Sequence, residues 1–328
     1  MSQRKLAVNL QVFFIRQKLS YSNNYNYSVF DQQLKQRIPF IGGTCLENFD
    51  GNVFIASNDS VYSLVPVPWE KQVQMLLSKK KVKEALDLSQ NSVQAGVTKE
   101  VFNRYIKQIK QQAGFIEFAD ENFEEARNLF IEGDLDVREL LFLYTNLLPM
   151  NDDGTYKSTI KHEIVDINQL ANDNPETLFQ YNLFLFEYLQ ELKCDNSEQY
   201  LNHKHQVDTV LVILSSTYEP LHSYLIDLIT NNKLELSNWI IKQLQDKNHY
   251  HALGIYYSQN NQYENAWDIW KQLELNQIKD SSYPGLDYIA NFLGQLNDEK
   301  FIMNHIDFIL ERNQNLGVSV LIKHKSSK

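Results

Sequence analysis

The stretch AGFIEFADENFEEARNLFIEGDLDVRELLFLYTNLL, residues 113–148, decides how the rest of the chain is read. Its apolar residues recur three and four positions apart, the spacing that puts side chains on one face of a helix. A first helix runs through Gln111–Ala119. A second starts at Asn122, with Phe123, Ala126, Leu129 and Phe130 on one stripe. Gly133 is expected to stop it in the left-handed conformation. Asp136 is expected to cap a third helix, with Glu139 completing a box-like start and Pro149 an end. These residues carry packing information and no visible chemistry.

The pattern recurs. Val82–Leu88, Phe123–Leu129 and Tyr263–Ile269 each place an apolar residue, an alanine three positions on, and Leu or Ile three further. Gly114 precedes Ala126 by the same interval as Gly254 precedes Ala266. Helix axes pack about 8–10 Å apart, and small residues at the crossing permit the near end of that range. Gly114, Ala126, Gly254 and Ala266 are therefore the expected helix-packing residues. Tyr250, Leu253, Gly254, Tyr257, Ala266 and Trp270 match a tetratricopeptide-type hairpin. An ordinary bundle with coincidental alanines is the bland alternative. A run of about a dozen helices favours an α-solenoid of helical hairpins. These helices are expected near 69–78, 81–92, 98–118, 122–132, 136–148, 174–193, 205–216, 219–230, 234–246, 248–259, 262–273, 283–295 and 298–313. Polar breaks fall at 149–167 and 194–203.

Before Trp69 the period changes. Residues 1–34, including the polar and aromatic Ser20–Tyr27, look irregular. Residues 35–68 look β-rich: Asn52–Ala56 and Ser60–Val65 flank Ser57-Asn58-Asp59 as a hairpin, and Gly42-Gly43 marks an earlier turn. A lone hairpin is marginal in water, so this segment is expected to be the end of a larger β domain. Pro66-Val67-Pro68 is a stiff boundary. The helical-repeat region is then 69–328.

Composition excludes several classes. With 328 residues, 43% of them hydrophobic, the chain can bury a large or extended core. A net charge of -10 argues against a nucleic-acid partner, since phosphate contact favours basic surfaces. Cys45 and Cys194 form no disulfide framework or zinc pattern, and suit a reducing compartment. No run is long and apolar enough to span a bilayer, and Leu6–Ile15 lacks the cleavage site of a signal peptide. Membrane association is therefore expected to be peripheral.

Candidate chemistry is sparse. His203/His205 and His249/His251 are the close histidine pairs, but alternate residues on a helix point apart, and no nearby cysteine or carboxylate set completes a metal site. Lys79-Lys80-Lys81 with Lys83 is the one basic run. It fits an acidic lipid surface or partner, or simply a solvated helix end. Glu124/Glu125 and Asp134/Asp136 suit helix starts. Gly42-Gly43 lacks the Gly-Lys-Ser/Thr of a phosphate loop. No serine sits in a nucleophile elbow. Phe179, Tyr181, Phe184, Phe186 and Tyr188 read as core, or as part of a partner groove if exposed. No catalytic, cofactor-binding or metal residues are assigned, no cofactor is called for, and no enzyme is expected.

Ser60–Glu84, SVYSLVPVPWEKQVQMLLSKKKVKE, joins a strand to a helical array, and resembles the junction between a citron-homology β-propeller and clathrin-type helical repeats. Gln111–Leu148 more specifically resembles the family of TGF-beta receptor-associated proteins and Vam/Vps-type tethering subunits. Asp166-Ile167-Asn168-Gln169-Leu170 fits that family, as does His251–Leu273 with its Ala-Leu-Gly and Ala-Trp units. The resemblance covers roughly residues 35–328. It implies part of a longer protein: the last strands of a truncated propeller, then a stretch of α-solenoid. It further implies a non-catalytic scaffold subunit of a CORVET-like endosomal tether, or of the related HOPS complex. That scaffold would be cytoplasmic and peripheral on early endosomes. Its implied partners are a class C-type core, an early-endosomal Rab GTPase and SNAREs. The alternative it implies is a helical-repeat signalling adaptor that binds a TGF-beta-type receptor or its downstream regulators.

Overall fold

From Trp69 onward the described residues of the computed structural model are mostly helical. The structure describes residues 7–11, 37–41, 45–49, 52–56, 61–64, 68–90, 98–145, 147, 160, 162, 164, 166–172, 174–231 and 234–326. Gly42-Gly43, Ser20–Tyr27, Pro149 and most of the 149–167 break lie outside these residues. The chain divides into two units, residues 1–133 and 134–328.

Among the described residues the first unit begins with five short strands. β1 (Ala7–Gln11) pairs antiparallel with β2 (Arg37–Ile41). β1 falls in the segment read as irregular, because five residues are too short a run to show a period beside the polar stretch that follows. β3 (Cys45–Phe49), β4 (Asn52–Ala56) and β5 (Val61–Leu64) form a second antiparallel sheet in that order. The β4–β5 register runs from Val53 opposite Leu64 to Ala56 opposite Val61, the pairing expected around Ser57-Asn58-Asp59.

Two helical hairpins complete this unit. α1 (Trp69–Leu77) and α2 (Val82–Gln90) form the first, α3 (Lys99–Ala119) and α4 (Phe123–Glu132) the second. Val73, Leu77, Val82, Ala85, Ile109, Ala113 and Leu129 make one shared core. The edge of Trp69 meets Tyr105 at 5.0 Å. Where the hairpins turn, Lys80 pairs with Asp120 at 2.5 Å.

The second unit starts at α5 (Val137–Leu141), shorter than the expected 136–148. Asp136 does cap it, accepting from the Arg138 amide at 3.0 Å. The helix stops because its continuation is used elsewhere. The Tyr144 hydroxyl donates to the Tyr181 carbonyl at 2.7 Å, and the Leu143 carbonyl accepts from the Ile167 amide. α6 (Ile167–Leu170) and α7 (Pro175–Cys194) follow, α7 capped by Asn174 with proline at its first position. The break at 194–203 holds a short helix, α8 (Glu198–Asn202), which Ser197 caps. α9 (Lys204–Thr217), a 3-10 turn (Glu219–Leu221), α10 (His222–Asn231) and α11 (Asn238–Asp246) come next. α12 (Tyr250–Gln259) and α13 (Tyr263–Glu274) form the third of the aligned hairpins. α14 (Leu286–Gln295), α15 (Glu299–Arg312) and α16 (Gln314–Ser326) close the unit.

α16 lies beyond the last helix expected from apolar spacing, 298–313. Gly317, Val318 and Val320 all lower helix propensity. Packing overrides it: Val320 is buried, and a methyl on Gly317 would fall 2.6 Å from Leu310 Cγ. Asn313 supplies the start, its side chain accepting from the Asn315 and Leu316 amides.

Candidate functional site

The repeated unit is a turn as much as a helix pair. After α3 the Asn122 amide bonds back to the Glu117 carbonyl and the Glu121 amide to Phe118, with Glu121 at φ 62°. After α12 the Gln262 amide bonds to Tyr257 and the Asn261 amide to Ser258, with Asn261 at φ 59°. This is the Schellman closure, one residue in the left-handed region satisfying the last carbonyls. The same bonds close α1 at Lys80, α7 at Asn196, α11 at Asn248 and α13 at Asn276. None of these six positions is glycine, so a search for glycine stops misses them all. Gly133, expected in that conformation, is right-handed at φ -79°, and its neighbour Asp134 takes the positive φ instead. What Gly133 permits is close approach. A methyl there would fall 2.8 Å from the Leu129 carbonyl, and Gln111 Nε2 donates to the Gly133 carbonyl at 2.8 Å.

Inside the hairpins, Ala126 and Ala266 are fully buried, as is Ala85 at the matching place in α2. The two glycines face aromatic rings. A methyl on Gly114 would lie 2.6 Å from Phe130 Cε1, and 3.4 Å from the Ala126 carbonyl. A methyl on Gly254 would lie 2.6 Å from Cε2 of Trp270. Phe130 and Trp270 each follow their glycine by the same interval, one helical turn beyond the alanine. Each alanine lies one turn before a ring that its partner helix's glycine receives.

The candidate polar residues separate. His203 sits 3.8 Å from Asp136, while His205 is exposed. Burial, aided by the Arg138 charge, lowers the His203 pKa against the pull of Asp136. Burial pushes the Asp136 carboxyl up, but hydrogen bonds from Arg138 outweigh it and hold the group below the usual range. His249 precedes α12, its Nε2 2.9 Å from the Ser216 carbonyl, and its ring meets His222 edge-on at 4.6 Å. His251 is buried against Tyr288, Tyr283 and Trp270. Burial drives its pKa down to about 4, against the opposing pull of Asp280. Among the described residues no group of three or more His, Cys, Asp or Glu could hold a metal ion. Tyr181, Phe184, Phe186 and Tyr188 are core, and Phe179 is half-buried 5.2 Å from Tyr218. Their density therefore builds α7 into the interior and forms no exposed groove.

Three contacts have no local sequence signal. Asp280 reaches back 29 residues to accept from the His251 amide at 2.7 Å, fastening the 277–285 segment to the start of α12. Lys193 and the buried Asp208 form a partly buried ion pair at 2.8 Å beside Tyr200, whose hydroxyl pKa is pushed up to about 12 by burial and by Asp208. The Tyr256 hydroxyl donates to the Glu235 carbonyl and accepts from the Ser237 amide, holding the approach to α11. Partners 15 to 29 residues apart are set by how helices stack, which no short window reports. All three are structural ties. No described helix is long and apolar enough to cross a membrane.

No family model matches the chain. Transforming growth factor-beta receptor-associated protein 1 of Homo sapiens is 37% identical over 298 residues, covering 90% of this chain and 34% of the relative. The Danio rerio homolog is 36% identical over 304 residues, 92% of this chain and 34% of the relative. A Vam6/Vps39-like protein of Mus musculus is 27% identical over 157 residues, 48% of this chain and 16% of the relative. The chain thus spans about a third of the length of the first relatives. A solved structure of the assembly chaperone of RpL4 aligns at 10% identity over 80% of this chain and 98% of that one, with a TM-score of 0.20, too low to carry an argument. Across the matched residues the chain is homologous to transforming growth factor-beta receptor-associated protein 1, with the Vam6/Vps39-like proteins as more distant relatives.

Proposed function

We propose that this chain is a non-catalytic scaffold segment of a CORVET-like tethering complex that acts in vesicle transport and endosome fusion. The observation that carries the reading is the match to both relatives by a chain whose described residues from Trp69 onward are mostly helices. A Vam6/Vps39-like name implies assembly with other tether subunits, and a class C-type core is the expected partner. Rab and SNARE contacts, a peripheral place on early endosomes, and the absence of catalysis belong to the same proposal. So does the domain assignment: 35–68 as the last strands of a propeller and 69–328 as an α-solenoid.

Affinity purification of the full-length protein from cytosol tests this. Recovery of class C-type core subunits in constant proportion supports it, and clean recovery without them contradicts it. The second reading is a signalling adaptor, favoured by the words "receptor-associated" in the relatives' name. Binding to a receptor cytoplasmic segment that persists after the tether subunits are depleted would favour the adaptor.

A further inference from the structure

The outward face of α1 takes no part in the core. Val73 and Leu77 turn inward, while Lys71, Gln74, Met75 and Ser78 stay exposed. Met75 keeps 46% of its surface open. Glu70, Lys71, Gln74, Met75 and Ser78 line a shallow, largely apolar depression. Immediately after it comes the lysine turn. Lys80 and Lys81 are neutralised by Asp120 and Glu84. Lys71, Lys79 and Lys83 are exposed and make no ion pair among the described residues. In a chain of net charge -10, residues 68–90 carry five lysines against Glu70, Glu84 and Asp87. This hairpin is basic where the chain as a whole is acidic.

We propose that this face docks an acidic peptide segment of a partner protein. Its carboxylates would meet Lys71, Lys79 and Lys83, and one bulky apolar side chain would rest on Met75. Methionine suits that role, since its flexible thioether adapts to varied apolar shapes. The charge complementarity is local, and it is of the kind that sets encounter rate and orientation. A lipid surface fits less well. Anionic-lipid recognition uses clusters of about four to eight free cations, and here two of the five lysines are already neutralised.

The test uses the full chain and a fluorescein-labelled peptide in which glutamates flank one leucine. Fluorescence anisotropy is expected to show saturable binding that weakens as salt rises. The triple variant Lys71→Glu/Lys79→Glu/Lys83→Glu should bind roughly tenfold more weakly or worse. Met75→Asp should also weaken binding, and replacing the peptide's leucine with serine should mimic it. All substituted positions are exposed, and an unchanged thermal melt confirms the fold. Absence of saturable binding by the wild-type chain overturns the proposal, as does binding indifferent to these substitutions. So does lysine-dependent sedimentation with phosphatidylserine vesicles in place of peptide binding. The peptide's parent protein need not be a tether subunit, so failure of this test leaves the scaffold reading untouched; that reading fails only on loss of the class C-type subunits.

Discussion

The α3–α4 and α12–α13 hairpins use one plan with different fillings. Both have glycine on the first helix, a buried alanine on the second, and a ring seated against the glycine. In α3–α4 the ring is Phe130, which packs on Phe115 at 4.9 Å and on Phe118 at 6.3 Å. In α12–α13 it is Trp270, whose neighbours at 4.7 to 6.4 Å are Phe292, Tyr288 and His251. The second hairpin is further tied at its start by Asp280. The glycine–ring contact is the constant, while the surroundings decide how each hairpin responds to pH and substitution.

The largest expected effect comes from removing the rings. Trp270→Ala should destabilise by about 3–5 kcal/mol, and Phe130→Ala by a similar or smaller amount, from lost burial and the cavity left behind. Chemical denaturation of each variant measures this. Equal and small losses would mean the rings are not the hairpins' anchors.

Filling the glycines comes next. Gly114→Ala and Gly254→Ala should each cost about 1–3 kcal/mol by overpacking. The cost of Gly254→Ala should largely disappear when combined with Trp270→Ala, because the methyl then has room. A double-mutant cycle reads this coupling. Additive losses would place the strain on the backbone crossing, as the pairing of glycine with alanine alone implies.

Acid should separate the hairpins. His251 titrates near 4 when folded, below the ordinary histidine value of 6.5, so between those values the unfolded chain binds more protons. Its contribution is complete above about pH 6.5 and is lost as pH falls toward 4, amounting to on the order of 3 kcal/mol at most. His251→Phe should flatten this part of the pH–stability profile. Phe130 packs on Phe115 and Phe118, which carry no titrating group, so stability changes caused by Gly114→Ala should stay nearly constant over the same range. A profile unaffected by His251→Phe would contradict the burial argument.

The smallest effect concerns the turns. Asn tolerates the left-handed region better than Glu does. Glu121→Asn should therefore stabilise by a few tenths of a kcal/mol, while Asn261→Ala should destabilise by about 1 kcal/mol. Melting temperatures that move the other way would mean these residues contribute through side-chain contacts instead.

These comparisons mark what the residues disclose by themselves. The helices of α3, α4, α12 and α13 were legible because their apolar spacing is long and regular. The small residues were legible too, and so was the equal interval between them. The rings as their partners were not, since pairing a glycine with a residue one turn past the alanine requires the turn geometry. That geometry was written in Asn196, Asn248, Asn261 and Asn276, but a reading tuned to glycine passes over asparagine. α5 ended early and α16 formed against propensity for tertiary reasons, through Tyr144 reaching α7 and Gly317 meeting Leu310. Asp280 at the start of α12 lies too far along the chain for any local signal.

The hairpins are proposed as a scaffold inside a tethering assembly. Crosslinking mass spectrometry on the complex purified with the full-length protein tests it most directly. A scaffold gives reproducible crosslinks from lysines of residues 69–328 to class C-type core subunits. Crosslinks confined to receptor or unrelated proteins, with none to a tether subunit, would contradict it.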